Sequence, residues 1–422
     1  MYVEELAAKH LDKFLKTMDR ASLRVYIYNL RIPSKTKKRL SNLLFNVLSN
    51  IRLIDWIISQ IDLDLPVDVN LMRVLTYRFV IERNTEVINR WVQKVGESLL
   101  CLFESRDKIL KKLQTLKPLK RLAIMYSYPE FFVRRLMKYL RYEELCDVLE
   151  SMNHRLPYTW LCINSVRYDR DDVISLLESE GFRVHPDEDF YDIIRVEKKP
   201  KRIEKSIAYR RKMFIIAEKA SIACTHLLQP SDGDTILDMC AAPGIKLLCT
   251  AFKMNDGKII AVDISRSRMQ KLMKIVRKYD IHKYIRLETK IIDARKLSPS
   301  NIETVDKIIV DAECSSTGLI SKSPDIKLRI TSSKINELST LQKQLLSKAL
   351  KLGEELGAKY IVYSVCSLLP EEGEFVILNI KNTKYRISDL SVASPAYVAE
   401  TGRRFFPHIH KTIGFFISRF EQ

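Results

Sequence analysis

The sequence lacks the features of a membrane or secreted protein. No apolar run approaches the roughly 20 residues that a membrane helix needs, and the first 16 residues place charge in every turn, unlike a signal peptide. The eight cysteines are scattered without a CxxC pair, so neither a zinc site nor a disulfide framework is indicated. We therefore expect a soluble, cytoplasmic protein without a bound metal, in which most cysteines are buried thiols.

Acidic residues are outnumbered by basic ones. The chain has 71 Lys and Arg against 52 Asp and Glu, which gives a net charge of +19. A basic surface attracts polyanions, so this balance favours a nucleic acid as partner over an acidic membrane or a protein that is merely basic. A chain of 422 residues predicts two or three domains.

The hydrophobic pattern changes twice along the chain. Residues 1–117 repeat apolar positions at spacings of three and four, which predicts an all-α N-terminal bundle. Residues 118–198 mix helices with short strands and predict a small α/β subdomain. Residues 199–422 alternate strands and helices from position 214, which predicts an α/β domain with a doubly wound parallel sheet. The clearest helices of the bundle are predicted at 36–61, 71–83 and 86–103.

Five nearly continuous apolar runs are the strand candidates of the last segment. They lie at 235–240, 258–265, 285–293, 305–314 and 359–366. The C-terminal residues 403–420 are predicted to add an antiparallel hairpin at the edge of this sheet. The basic stretch 198–213 holds eight Lys or Arg, and it can be a solvated linker, which Pro200 favours, or a strip that contacts phosphates.

The ends of these strands carry the candidate cofactor site. The first run leads into a loop of small residues, where a backbone can approach a ligand closely. No GxGxxG occurs, so a dinucleotide is not indicated. The first four strands each end near an aspartate, on the edge where open α/β sheets bind ligands. The candidates are Asp238, Cys240, Ala241, Ala242, Pro243, Gly244, Lys246, Asp263, Arg268, Asp293 and Asp311.

Four aspartates at successive strand ends suit a nucleoside that carries a positive charge. Asp263 can accept hydrogen bonds from ribose hydroxyls and Asp293 from an adenine amino group. Asp238 and Asp311 would flank an aminoacyl and sulfonium group. We therefore expect S-adenosylmethionine as the cofactor.

Two cysteines at neighbouring strand ends indicate the chemistry. Cys314 closes the fourth strand and Cys366 the fifth, so both should open into the same crevice. Methylation at carbon 5 of cytosine needs a thiolate that adds to carbon 6, a group near N3 and a group that assists elimination. A lone cysteine at a strand end is usually a packed thiol, but two beside a methyl-donor site favour catalysis.

The motifs at 238–246, 261–265, 311–318 and 363–374 resemble those of the Sun/Nop2 RNA cytosine-5 methyltransferases. Further segments that resemble this family lie at 126–136, 162–182, 214–221 and 410–420, and residues 71–94 are similar to the NusB-like domain of its RsmB subgroup. The resemblance implies a Rossmann-like methyltransferase domain at 199–422, a small RRM-like subdomain at 118–198 and a NusB-like RNA-binding domain at 1–117.

The resemblance also implies a role for each site residue. Cys366 would attack carbon 6, Cys314 would assist release of the enzyme, and Asp311 would interact near N3. Asp263 and Asp293 would hold ribose and adenine, with Lys246 near the cofactor. The implied substrate is structured RNA, with ribosomal RNA favoured and transfer RNA possible, and the implied protein is a monomer.

The sequence departs from the family pattern at Ile245, Leu247, Glu313, Val365 and Ile413. A carboxylate at 313 is expected to raise the pKa of the adjacent Cys314. These departures support a second hypothesis, a relative that binds RNA or assists ribosome assembly with little or no catalysis. A methyltransferase for exocyclic amines or proteins is disfavoured, because no Asn/Asp-Pro-Pro-aromatic run ends the fourth strand.

Overall fold

The computed structural model describes residues 2–18, 21–61, 68–96, 100 and 104–422. The chain divides into two units. The first comprises Met1–Arg155 with Leu319–Ile330, and the second comprises Leu156–Gly318 with Thr331–Gln422. None of the helices in the described ranges combines the length and hydropathy of a membrane span.

The described part of the first unit has ten helices of seven residues or more. They are α1 Val3–Leu15, α2 Leu23–Asn29, α3 Ser34–Ser49, α4 Ile51–Ile58, α5 Val69–Thr76, α6 Thr85–Val95, α7 Arg106–Gln114, α8 Pro118–Met125, α9 Glu130–Leu136 and α10 Tyr142–Asn153. The apolar faces of α1, α3 and α5 share one core, as the periodicity predicted. Its fully buried members include Ala7, Leu11, Phe14, Leu40, Leu44, Leu48 and Val74.

The three predicted helices of this unit differ from the structure in detail. The segment 36–61 forms two helices rather than one, because Asn50 leaves helical geometry at φ −117° and ψ 12° and donates through its side chain to the Asn46 carbonyl. The segment 71–83 continues from α5 into a π-helical turn, Tyr77–Ile81. Of the segment 86–103, α6 is confirmed, while residues 97–99 and 101–103 lie outside the described residues.

A short segment from later in the chain completes the first unit. It contains the helical turn Ile326–Arg329, in which Lys327 is fully buried. The Lys327 ammonium donates to the Ser49 carbonyl at 2.9 Å, the Tyr126 carbonyl at 3.0 Å and the Asn153 side chain. Burial lowers the pKa of Lys327 well below its ordinary value, and these three oxygens satisfy its donors.

The second unit begins with a small antiparallel sheet. Its strands are β1 Thr159–Ile163, β2 Arg183–Pro186, β3 Ile193–Lys198 and β4 Phe214–Ile216, in the order β2-β3-β1-β4. Helix α11, Arg170–Ser179, contributes Val173 and Leu177 to the core beneath the sheet. This sheet extends beyond residue 198, because β4 pairs with β1 instead of leading into the large sheet.

The basic stretch 198–213 is ordered along this small sheet. It contains the turn Ile203–Lys205 and the helical turn Ile207–Arg210, and Ile203 and Ala208 belong to the core of the small sheet. Lys212 pairs with Asp280 at 2.5 Å. A solvated linker, one of the two interpretations of this stretch, is therefore wrong.

The large sheet has nine strands. They are β5 Thr235–Asp238, β6 Gly257–Asp263, β7 Ile285–Ile291, β8 Lys307–Asp311, β9 Tyr360–Val365, β10 Arg386–Ile387, β11 Ser394–Pro395, β12 Arg403–Phe405 and β13 Phe415–Glu421. The order is β11-β12-β13-β9-β8-β5-β6-β7, with β10 on β13, and β5 to β9 pair in parallel. The five predicted strands and the doubly wound arrangement are confirmed.

Four helices pack on this sheet in the described structure. They are α12 Lys219–Leu228, α13 Ile245–Ala251, α14 Arg266–Lys278 and α15 Ser332–Leu356. From the centre of the sheet, the crossovers β5-α13-β6 and β6-α14-β7 lead toward the β7 edge. The crossover β8-α15-β9 leads the opposite way, toward β13. Because such crossovers are right-handed, α13 and α14 cover one face and α15 covers the other. Shorter helical turns lie at Glu374–Leu378 and Pro407–His410.

The C-terminal hairpin lies inside the sheet. Strand β13 pairs antiparallel with β9 over six positions, from Phe416 opposite Val365 to Glu421 opposite Tyr360. Strands β12 and β11 then extend the sheet beyond β13. The prediction of an antiparallel hairpin is confirmed, but its placement at the edge is wrong, since the buried residues Phe416 and Phe420 join the central core.

Candidate active site

The reversal of strand order between β8 and β5 brings the predicted aspartates to one edge. Asp238, Asp263 and Asp311 are the last residues of β5, β6 and β8, and Asp293 follows β7 by two residues. Asp238 and Asp263 are buried, while Asp293 and Asp311 are partly exposed. This edge, next to the switch in strand order, is where open α/β sheets bind ligands.

The loop after β5 is held in shape by the neighbouring strand. The Ala242 amide donates to Asp263 Oδ2 at 3.2 Å, and Arg268 contacts both that carboxylate, at 3.4 Å, and the Ala242 carbonyl. Gly244 has φ +107°, and a Cβ there would lie 3.0 Å from Leu272 Cγ. Only glycine fits this position without strain, so the backbone stays open to the crevice. Arg268, a predicted cofactor-binding residue on helix α14, therefore contacts this loop.

Asp238 is a carboxyl group kept away from water. Burial raises the pKa of Asp238 to about 7, and the charges of Asp311 and Asp263 act in the same direction. The Cys240 amide donates to Asp238 Oδ1 at 3.2 Å, and this bond and Lys246 oppose the rise. A buried acid at a crevice edge can accept a positively charged ligand group, which would favour its ionised form.

Asp293 is engaged by its own loop. The Arg295 guanidinium donates to both carboxylate oxygens, with Nη2 at 2.6 Å from Oδ2, and the Arg295 amide donates to Oδ1 at 3.0 Å. The hydrogen bonds from the Arg295 side chain lower the pKa of Asp293. Asp293 is therefore ionised and retains acceptor capacity toward the crevice.

The two cysteines are in direct contact. Cys314 Sγ and Cys366 Sγ lie 3.0 Å apart, and both residues are partly exposed free thiols. The hydrogen bond from Cys314 lowers the pKa of Cys366, helped by Ser316 and Lys246 and opposed by burial and Asp311. The same contact, burial and the charge of Glu372 raise the pKa of Cys314. These opposite directions favour Cys366 over Cys314 as the sulfur that ionises first.

Asp311 and Lys246 form an ion pair beside the cysteines. Lys246 Nζ lies 2.6 Å from Asp311 Oδ2, and Ser364 donates to Oδ1 at 3.0 Å. Burial alone would lower the pKa of Lys246, but Asp311 offsets this and holds it above its ordinary value. The crevice therefore combines two sulfur atoms, a carboxylate and an ammonium group at one edge of the sheet.

Comparison with known proteins matches two stretches of the chain. Residues 225–421 match the family described as 16S rRNA methyltransferase RsmB/F. Residues 128–202 match the ferredoxin-like domain of RsmF/B-like methyltransferases. The chain therefore resembles both domains of the RsmB/F methyltransferases. The prediction of a Sun/Nop2, RsmB-like methyltransferase is confirmed.

Individual relatives and solved structures match most of the chain. Ribosomal RNA small subunit methyltransferase B of Shigella flexneri is 29% identical over 336 residues, which is 78% of this chain and 71% of that protein. The crystal structure of PH0851 is 27% identical at a TM-score of 0.72 and covers 94% of this chain and 93% of its own. A methyltransferase homolog from Pyrococcus horikoshii is 26% identical at a TM-score of 0.63, covering 73% of this chain and all of its own.

Most departures from the RsmB/F pattern point away from the crevice. Leu247, Val365 and Ile413 are at most 2% exposed and pack in the interior. Glu313 is exposed, and the carboxylate whose charge raises the pKa of Cys314 is the buried Glu372. The predicted direction of the Cys314 shift is confirmed, but its attribution to Glu313 is wrong, because a side chain in solvent is screened.

Glu372 is the residue of this RsmB/F site that sequence reasoning missed. It is fully buried and accepts hydrogen bonds from the Ser315 amide at 2.7 Å, the Ser367 hydroxyl at 2.6 Å, the Gln342 amide group at 3.1 Å and the Ser315 hydroxyl. Ser315 follows Cys314 and Ser367 follows Cys366. Glu372 therefore holds the two cysteine loops together. Its only sequence signal was its place in the motif 363–374.

A second buried ion pair supports the Cys366 loop of the RsmB/F domain. Arg404 and Glu374 are both fully buried and bonded at 2.6 Å. Arg404 also donates to the carbonyls of Ser367 at 2.9 Å and Leu369 at 3.3 Å. Because Arg404 lies on β12, the C-terminal hairpin holds the loop that follows Cys366.

Proposed function

We propose that this chain is a cytoplasmic, monomeric RNA cytosine-5 methyltransferase that uses S-adenosylmethionine and acts on ribosomal RNA. The observation that carries the proposal is the 3.0 Å contact between Cys314 and Cys366, with pKa shifts in opposite directions. One cysteine, Cys366, suffices to add to carbon 6 of the base. The presence of a second thiol, Cys314, in contact with it supports a mechanism in which the enzyme must also be released from the base.

The carboxylates of the strand edge fit S-adenosylmethionine. Asp263 would hold the ribose hydroxyls, Asp293 the adenine amino group, and Asp238 with Asp311 the positively charged end. The buried Asp238 supports this fit, because its raised pKa indicates a carboxyl that lacks a cationic partner of its own. The open backbone at Gly244 lets a ligand approach the loop. When bound, the cofactor supplies an electrophilic methyl group.

The chain's own residues would handle the cytosine. The Cys366 thiolate forms a bond to carbon 6, which moves electron density to carbon 5 and N3. Asp311, paired with Lys246 at 2.6 Å, would interact at the N3 side of the base. Once carbon 5 carries the new methyl group, a water molecule in the crevice would accept the carbon-5 proton. The electron pair of that C–H bond re-forms the double bond between carbons 5 and 6, and the carbon 6–sulfur bond breaks. The electron pair of the broken bond returns to Cys366, and Cys314 would assist this release by donating a hydrogen bond to the departing sulfur.

The helical first unit supports an RNA-binding role. We propose that residues 1–117 act as a NusB-like RNA-binding domain, that 118–198 supply the small RRM-like subdomain, and that 199–422 carry the chemistry. The seven described helices α1 to α7 support the first part of this assignment, and the ferredoxin-like match at 128–202 supports the second. The net charge of +19 suits a polyanionic substrate.

A methyl-transfer assay tests the proposed function directly. The full chain, labelled S-adenosylmethionine and unmodified small-subunit ribosomal RNA should yield label in 5-methylcytidine after nucleoside digestion and mass spectrometry. Transfer RNA in a parallel reaction distinguishes the two substrate classes. Label in another nucleoside would contradict cytosine-5 chemistry. RNA binding without transfer would instead identify the noncatalytic relative considered above.

The affinity for S-adenosylmethionine should rise with pH. Below the pKa of about 7, the Asp238 carboxyl is protonated in the free protein, and a cationic ligand must expel that proton. We expect the Kd to fall by up to about tenfold per unit as pH rises from about 6, and to level off near pH 8. Calorimetry in two buffers of different ionisation enthalpy measures the proton release.

The control for this prediction is Asp238→Asn, which cannot titrate. Its affinity should be weaker and independent of pH across the same range. A wild-type Kd that stays constant from about pH 6 to about pH 8 would show that Asp238 does not face the charged end of the ligand.

A further inference from the structure

Helix α14 exposes an unusual concentration of positive charge. It has no acidic residue, and its exposed cations are Arg266, Arg268, Lys271, Lys274, Arg277 and Lys278. Across the described ranges, no carboxylate lies within ion-pair distance of Lys271, Lys274 or Arg277, whereas Arg268 pairs with Asp263. Because Lys271, Lys274 and Arg277 form no ion pairs with neighbouring side chains of the described chain, their charge is available to an external polyanion.

A groove opens beside the C-terminal end of this helix. Its volume is about 500 Å³, within the range of about 300–1,000 Å³ that is usual for ligand sites. The floor is apolar and consists of Met273, Val276, Ile285 and Leu287. The rim consists of Arg277, His282 and Arg286, all exposed. As for Arg277, no carboxylate in the described part of the chain lies within ion-pair distance of Arg286, whose charge acts at longer range on Glu303.

The groove and the catalytic edge are joined by α14. The helix begins three residues after Asp263 and spans 13 residues, so its ends are about 20 Å apart. Strand β7, which contributes Ile285, Arg286 and Leu287, is the outermost strand on this side of the sheet. A single RNA strand with its target base at the catalytic edge would reach the groove within a few nucleotides.

We propose that this groove binds a nucleotide of the RNA substrate a few positions from the target cytosine. The apolar floor would lie under the base, Arg277 and Arg286 would contact phosphates, and Lys271 and Lys274 would contact the backbone in between. A peptide strand added to the edge of β7 is the other occupant to consider. Two of the three rim residues are arginines and none is acidic, which favours the regularly spaced charges of a phosphate backbone. The inference rests on the proposed RNA substrate.

The test is the salt dependence of RNA binding by the full chain. Fluorescence anisotropy with a labelled single-stranded ribosomal RNA segment would be measured for wild type and for the double variant Arg277→Gln/Arg286→Gln. Loss of two phosphate contacts should reduce the log–log salt slope by about 1.4 and weaken binding roughly 25-fold at about 0.1 M salt. Binding of S-adenosylmethionine should be unchanged, which shows that the variant is folded.

The matched control is Lys381→Gln/Lys384→Gln, which removes the same charge near β10 at the far end of the sheet. Its slope should stay at the wild-type value. Equal losses in both double variants, or no loss in the groove variant, would overturn the groove as an RNA site. No loss of RNA binding in the groove variant is also the result expected if the groove binds a peptide. Failure of the wild-type protein to bind RNA would instead overturn the proposed function.

Discussion

Cys366→Ala protein is expected to transfer no measurable methyl group to RNA. Without a thiolate to add at carbon 6, carbon 5 of cytosine is not nucleophilic enough to be methylated. Cys314, 3.0 Å away in the wild type, cannot substitute, because burial and the charge of Glu372 still raise its pKa when Cys366 is absent. The rate should fall by at least about a thousandfold, as is usual when a covalent nucleophile is removed. Initial rates with labelled S-adenosylmethionine measure the loss.

Two controls separate this chemical effect from damage to the fold. Cys366→Ala protein should still bind S-adenosylmethionine and RNA. Cys146→Ala, which changes a partly buried cysteine of helix α10, should keep the wild-type rate. If Cys366→Ala turned over within tenfold of wild type, the proposed nucleophile would be wrong.

Cys314→Ala protein is expected to accumulate a covalent complex with RNA. Cys366 can still add to the base, but the group that assists its release is missing. The structure sharpens this expectation, because the Cys314 hydrogen bond is the largest influence that lowers the pKa of Cys366. Its removal should raise the pKa of Cys366, so the adduct should form faster as pH rises from about 7 to about 9. A denaturing gel with labelled RNA detects the adduct.

The double variant Cys314→Ala/Cys366→Ala is the matched control, and it should form no adduct at any pH. Normal turnover of Cys314→Ala without an accumulated adduct would remove Cys314 from the release step. An adduct whose rate of formation does not depend on pH would leave the release role intact and contradict the hydrogen-bond effect on Cys366.

The parallel part of the large sheet could be predicted because of where its strands lie. Strands covered on both faces are nearly continuous apolar runs, as in the centres of β6 and β9, and such runs are visible without any alignment. The amphipathic helices of the first unit were visible for the same reason. The break between α3 and α4 at Asn50 could not be predicted, because a single residue outside helical geometry hardly changes the apolar periodicity of the flanking helices.

Strands β4 and β13 show where the sequence pattern was insufficient. Phe214–Ile216 is short and apolar, and nothing local distinguishes pairing with β1 from membership of the large sheet. The apolar run of β13 predicted a strand but not its position between β9 and β12. Both choices depend on partners that are about 50 residues away in the chain, so only the packed structure decides them.

The sequence by itself determined which chemical groups meet at the catalytic edge. Aspartates and cysteines at the ends of parallel strands must converge there, whatever the details of packing. The tertiary structure decided the opposite pKa shifts that support the proposed division of roles between the two cysteines. That division depends on a 3.0 Å contact, on burial, and on Glu372, which bonds to the residues after both cysteines. A pKa is set by desolvation and neighbouring charge, and neither quantity can be obtained from residue order.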